Sequence, residues 1–101
     1  MTVIITGFAW ETLQRIYEYF AEVAAYKVDE ILEELLERTK QLESHPFSGP
    51  IEPFFAKCGF NYRFLVHGNY KIIYKIENDT VFVMRFFDAR QNPEKMLTSE
   101  E

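Results

Sequence analysis

Four cations in the second half of this 101-residue sequence stand where they could do chemistry: Arg63, Lys71, Arg85 and Arg90. Arg63 and Arg85 fall in apolar segments two strands apart, where paired guanidinium groups would bind a phosphate or a partner's carboxylate in forked geometry. The plainer role for both is a salt bridge to acidic helices. Lys71 and Lys75 read as solvated lysines of an alternating strand. Arg90 either reaches a target or pairs with Asp88, two residues back. Groups able to move a proton near neutral pH are few. His45 precedes a proline, where it suits the negative end of a helix dipole, and His67 flanks a turn. Cys58 is the sole cysteine, which excludes an internal disulfide and reads as an inert buried thiol in a reducing cytosol. Two histidines and one cysteine are too few for a zinc site. Neither metal nor cofactor is expected, and any catalysis would rest on arginine, lysine, tyrosine or carboxylates.

The elements that must position these residues follow from hydrophobic periodicity. Residues 2–6 (Thr-Val-Ile-Ile-Thr) predict a β-branched strand. After Gly7 the period changes. Ala9, Leu13, Ile16, Tyr17, Phe20 and Ala24 recur at helical spacing to about residue 25, and Trp10 and Tyr17 are assigned to the core. Val28, Ile31, Leu32, Leu35, Leu36, Thr39 and Leu42 form a second, cleaner stripe, with Glu30, Glu33, Glu34, Glu37, Arg38 and Lys40 opposite. No Gly or Pro separates the two helices. One rod over residues 8–44 would nevertheless exceed ~50 Å at ~1.5 Å per residue, too long for so small a chain, so a hairpin is expected.

Pro46, Gly49, Pro50 and Pro53 end the second helix. The connector they open runs to about residue 59, long enough to suggest a functional or partner-contacting loop. Three strands follow, over 62–67, 70–77 and 80–87, joined by two-residue turns at Gly68-Asn69 and Asn78-Asp79. Asn92-Pro93-Glu94 starts a short terminal helix, with Asn as N-cap and Pro at the first helical position, and a frayed acidic tail behind it. The sum is a single α+β domain over residues 1–101, of order β-α-α-β-β-β, with a helical hairpin packed on an antiparallel sheet.

Two-residue turns fix a register. One face carries Arg63, Leu65, His67, Tyr70, Ile72, Tyr74, Ile76, Val81, Val83, Arg85 and Phe87; the other carries Tyr62, Phe64, Val66, Lys71, Ile73, Lys75, Phe82, Met84 and Phe86. Neither face is polar, and a helical hairpin covers only one of them. The second needs Phe47, Phe54 and Phe55 of the connector, the terminal helix, a second copy, or a partner peptide or helix lying in a groove.

Net charge is −5 and unevenly spread: residues 1–45 hold nine acids and four bases, whereas the stretch 57–95 is net positive by three. The acidic half repels nucleic acid and the basic half meets at most a few phosphates, so non-specific nucleic-acid binding is not expected. No apolar run approaches the ~18 residues of a spanning helix, and the N-terminus lacks a basic leader. The expected location is the cytoplasm, with no membrane partner.

In element order and in four motifs, the chain resembles the RelE/ParE superfamily of bacterial toxins, the toxin halves of type II toxin–antitoxin modules, often known as plasmid stabilisation proteins. The motifs are Leu-Leu-Glu-Arg-Thr-Lys-Gln-Leu-Glu-Ser-His-Pro-Phe-Ser-Gly at 35–49, Tyr62-Arg63, Gly-Asn-Tyr-Lys-Ile-Ile-Tyr-Lys-Ile at 68–76, and Met-Arg-Phe-Phe-Asp-Ala-Arg-Gln-Asn-Pro at 84–93. The resemblance implies a cognate antitoxin that wraps the toxin with short helices and extended segments. Arg63, Lys71, Arg85, Phe86 and Arg90 are the expected contacts for partner or target.

It also implies one of two targets. RelE-like members cut mRNA in the ribosomal A site without a metal, using basic residues on the meander and a C-terminal Tyr or His for proton transfer. Arg63 and Lys71 occupy matching strand positions and Arg90 lies one residue from the second family arginine, so these three are the catalytic set if this is a nuclease. The tyrosine-bearing position falls near Leu97, and nothing after Phe87 is Tyr or His. ParE-like members instead inhibit DNA gyrase, and the Phe-Asp-Ala-Arg-Gln-Asn-Pro ending looks more like theirs. The resemblance therefore implies a growth-inhibiting toxin, leaning towards gyrase as target. The alternatives are a ribosome-dependent mRNA endonuclease and a non-toxic interaction domain that has kept the fold.

Overall fold

A threonine joins the first strand to the first helix. Strand β1 (Thr2–Ile5) ends at Thr6, whose hydroxyl accepts from the Ala9 N–H at 3.2 Å as N-cap of helix α1 (Gly7–Val23) and donates to the Val83 carbonyl at 2.9 Å. A single 3-10 turn, Ala25–Lys27, then reverses the chain into α2 (Val28–Ser44). The hairpin thus forms without Gly or Pro, as the phase shift between the stripes requires. A short helix α3 (Pro53–Lys57) follows, then strands β2 (Arg63–His67), β3 (Tyr70–Glu77) and β4 (Thr80–Asp88), and a terminal 3-10 helix, Pro93–Leu97. The computed structural model describes residues 1–97; the acidic tail expected after the terminal helix lies outside the described residues.

The sheet has the order β1-β4-β3-β2, with β1 parallel to β4 and the other pairs antiparallel. Both expected turns are present. Asn78 and Asp79 adopt φ of 51° and 59°, and Gly68 a φ of 58°, the left-handed values that tight hairpins demand. The fold is α+β, with the hairpin packed on one face of the sheet. Leu35 and Leu42 of α2 and Ala9, Leu13 and Ile16 of α1 close over Leu65, Ile72, Tyr74, Val81, Val83 and Phe86. Within α1 the buried face is rotated from the expected one. Thr12 points inward, because its hydroxyl donates to the Ala9 carbonyl at 2.7 Å and accepts from the Phe86 N–H at 3.0 Å. Trp10 and Tyr17, expected in the core, are therefore 48% and 40% exposed.

A β-bulge corrects the expected sheet register. Ile73 pairs with Arg85 but Tyr74 pairs with Val83, which leaves Met84 as the extra residue of β4. One added residue inverts side-chain parity beyond it. Phe86 consequently joins the hairpin-side core, while Arg85 and Phe87 turn to the second face beside Ile73 and Lys71. Arg63, paired with Tyr74, and Arg85 lie on opposite faces rather than together.

The connector covers that second face through a helix that its three prolines concealed. Glu52 is the N-cap of α3 and accepts from the Phe55 N–H at 2.8 Å, and Pro53 takes the first turn, where its missing N–H is harmless. Phe55, with Met96 from the terminal helix, packs on Ile73 and Phe87, and Phe54 lies against the same cluster. Phe47 does not join them and is 64% exposed. The connector also shields the outer edge of β2. Phe64 N–H donates to the Pro50 carbonyl at 3.1 Å and Glu52 N–H to the Tyr62 carbonyl at 2.8 Å, while Arg38 of α2 donates from Nη2 to the Val66 carbonyl at 2.8 Å.

The buried hydroxyl of Tyr74 fastens the start of the connector to the sheet. It donates to the Pro46 carbonyl at 2.8 Å and accepts from the Gly49 N–H at 3.0 Å, where any side chain on residue 49 would run into the Phe64 carbonyl and the Tyr74 hydroxyl. Tyr74→Phe leaves a buried N–H and a carbonyl unsatisfied, so it should lower unfolding free energy by about 1–3 kcal/mol. Urea denaturation checks this: the midpoint should fall at constant m-value, and an unchanged midpoint would contradict the clamp.

Candidate functional site

Strand register and the connector decide what each candidate cation meets. Arg63, at the start of β2, donates from Nη1 to the Gly49 carbonyl at 2.7 Å and stacks over the Phe47 ring at 5.1 Å from its centroid. It holds the connector instead of reaching an acidic helix. Lys71, on the second face of β3, is not simply solvated. Its Nζ lies 3.0 Å from Oε1 of Glu52, a carboxylate with no exposure to water, and 4.6 Å from the Phe64 ring centroid. The other oxygen of Glu52 caps α3, so one buried carboxylate serves both a helix start and an ammonium. Lys75 pairs with Glu77 at 3.2 Å.

Arg85 is buried under the terminal helix. Its Nη1 donates to the Met96 carbonyl at 3.2 Å, and its guanidinium lies between the rings of Phe8 and Phe87. Burial, and then the charge of Arg15, lower its pKa to about 10, so it remains a cation at neutral pH. Phe86 is a core residue with no surface to offer. Arg90, beyond the end of β4, grips both oxygens of Asp88, from Nε at 3.0 Å and Nη2 at 2.7 Å, and its own N–H adds a third bond at 2.9 Å. This is the local ion pair that the spacing allowed. Hydrogen bonds from Arg90 hold the Asp88 carboxyl below the ordinary carboxylate range despite partial burial.

The three residues of the possible nuclease set are therefore dispersed. Arg63 faces the start of the connector, Lys71 the opposite side of the sheet, and Arg90 lies past its end. Leu97 is half exposed in the terminal helix. His67 lies 2.9 Å from Oε1 of Glu34, and His45 is the C-cap of α2. Cys58, expected to be buried, is exposed, since the short helix α3 ends before it. Among the described residues no group of His, Cys, Asp and Glu could hold a metal ion, and no helix is long and apolar enough to cross a membrane.

Sequence reasoning missed two features. Glu52 carried one local signal, an acid directly before a proline, which is an N-cap followed by a first-turn residue. The second feature is a groove between α1 and the β3–β4 end of the sheet, made of two adjoining hollows of about 250 and 330 Å³ that share Tyr19, Tyr70 and Arg90. The aromatic residues forming it lie far apart in sequence, and the bulge that turns Phe86 towards it left no mark on the hydrophobic pattern.

Residues 3–93 match the family model described as ParE toxin of type II toxin-antitoxin system, parDE, and the chain belongs to that family. No curated protein matches it. Membership makes the protein the toxin component of a type II module and implies an antitoxin partner.

The Asp88–Arg90 pair sets an acid dependence. The folded pKa of Asp88 lies below its unfolded value, so its contribution is complete above about pH 4 and is lost as pH falls through the folded value. Asp88→Asn should lower the melting temperature at neutral pH, and the difference from the parent should shrink as pH drops below about 4. Parallel melts across that range check this; a constant difference would contradict it.

Proposed function

We propose that this toxin, acting as one domain over residues 1–101, arrests growth in the cytoplasm by binding DNA gyrase, and that it cuts no mRNA. The observation that carries this reading is the way its cations are occupied. Cleavage without a metal needs cations turned together on one phosphate, with a proton donor at the leaving oxygen. Here Arg63 is spent on the Gly49 carbonyl, Lys71 on Glu52 and Arg90 on Asp88. Residues 88–101 hold no Tyr or His, and Leu97 has no proton to transfer. A binding inhibitor needs none of that convergence. Its contacts with target or antitoxin would use the accessible sides of Arg90, Arg63 and Lys71 more than Arg85 or Phe86, which are buried. Neutralised by its antitoxin, such a toxin would serve plasmid stabilisation.

Two assays test the reading together. Added to purified gyrase, the protein should block supercoiling or leave linearised plasmid. Primer extension on mRNA after induction should show no new 5′ ends within codons. Strong codon-specific ends with unaffected supercoiling would reverse the assignment. If they appear, Arg63→Ala and Arg90→Ala should remove them by roughly 10²–10⁴-fold while the fold persists.

A further inference from the structure

The two edges of the sheet are finished differently. The outer side of β2 is shielded by the connector and by Arg38, whereas β1 is the other edge strand and, among the described residues, no backbone hydrogen bond reaches its outer side. A strand paired in parallel directs the N–H and C=O of successive residues alternately to its two sides. Thr6 N–H donates to the Val83 carbonyl, so Ile4 faces β4 in the same way, and the amide groups of Val3 and Ile5 point away from the sheet. Proteins usually protect such an edge with lysine, proline, a bulge or a covering loop. β1 has none of these: Thr-Val-Ile-Ile-Thr at 2–6 is β-branched throughout and lies within residues 1–10, the longest run of the chain without a charged side chain.

The occupant that fits this edge is a second copy of the same strand. A two-fold contact must be self-complementary, and Thr-Val-Ile-Ile-Thr reads nearly the same in both directions. Antiparallel pairing centred on Ile4 sets Val3 opposite the partner's Ile5 and Thr2 opposite the partner's Thr6, so each side chain meets its own kind. Val3 and Ile5 then form the hydrogen-bonded pairs, and about four backbone bonds satisfy the amide groups that β1 leaves open. Ile4 becomes the non-bonded pair on the axis, where side chains approach most closely. It lies beside Phe82 on the face away from the hairpin and is 44% exposed in the single chain. Charge favours the same place, since two chains of net charge −5 repel each other least where neither presents a charged side chain. We infer that two copies of this chain join by antiparallel pairing of their β1 strands, which makes their sheets continuous. About five residues a side is far below the ~20–30 of a standard interface, so the dimer is weak, with a dissociation constant on the order of 10–100 µM.

Sedimentation equilibrium of the full chain between about 1 µM and about 1 mM checks the association. The average mass should rise from 12.0 kDa towards twice that value. Ile4→Lys, at an exposed position, should hold the single-chain mass throughout, because two ammonium groups would meet on the axis. Disulfide trapping reads the register separately, in a Cys58→Ser background that removes the exposed native thiol. Non-bonded antiparallel partners have Cα atoms about 4.5 Å apart, within reach of a disulfide. Under mild oxidation Ile4→Cys should therefore cross-link at least about tenfold faster than Thr2→Cys, whose counterpart is Thr6 and not itself. A constant mass up to about 1 mM, a dimer that Ile4→Lys leaves intact, or equal cross-linking at positions 2 and 4 would each overturn the proposal.

Discussion

A carboxylate removed from water must be paired and hydrogen-bonded, or it costs several kcal/mol. Glu52 is such a group, and most of the second face depends on how it is satisfied. One oxygen takes the Phe55 N–H and starts α3; the other takes the ammonium of Lys71. Because Lys71 is fixed in β3, the bond anchors the connector to the sheet, and Phe54 and Phe55 are delivered onto Ile73 and Phe87. Without that anchor α3 would be held to the sheet by the Glu52 N–H on the Tyr62 carbonyl and by the packing of Phe54 and Phe55, with the Glu52 carboxylate buried and unpaired.

The other candidate cations are likewise held by groups of this chain. Each cation matching the family pattern has been recruited by the backbone or by a carboxylate of this chain. The recruits serve different jobs: Arg63 ties a loop, Lys71 neutralises a buried charge, Arg85 fastens the terminal helix, and Arg90 closes the turn after β4. Such contacts orient side chains away from a common point.

Much of the architecture was legible in the sequence because it rests on local chemistry. The Val28–Leu42 stripe, the turns at Gly68 and Asn78, and the cap at Asn92 each act within a few residues, and each appears where expected. What was not legible depends on distant partners. Thr12 is buried because a strand 74 residues away offers it the Phe86 N–H, and this rotates Trp10 and Tyr17 outward. Met84 is bulged although nothing in Val-Met-Arg-Phe announces it, and that one residue exchanges the faces of Phe86 and Arg85. Charged residues were the hardest to assign, since whether Lys71 is solvated, catalytic or structural turns on Glu52, which lies nineteen positions away in a segment read as loop.

Lys71 satisfies the buried Glu52 carboxylate, and a double-mutant cycle measures that dependence directly. Unfolding free energies would be determined for the parent, Glu52→Gln, Lys71→Met and the double variant. The bond predicts that Lys71→Met, which strands a buried charge, is the worst of the set, at about 3–5 kcal/mol. The double variant should recover part of that loss, with a coupling energy of at least about 1 kcal/mol. Additive losses, agreeing within about 0.5 kcal/mol, would mean that the two side chains do not depend on each other, and would contradict the account.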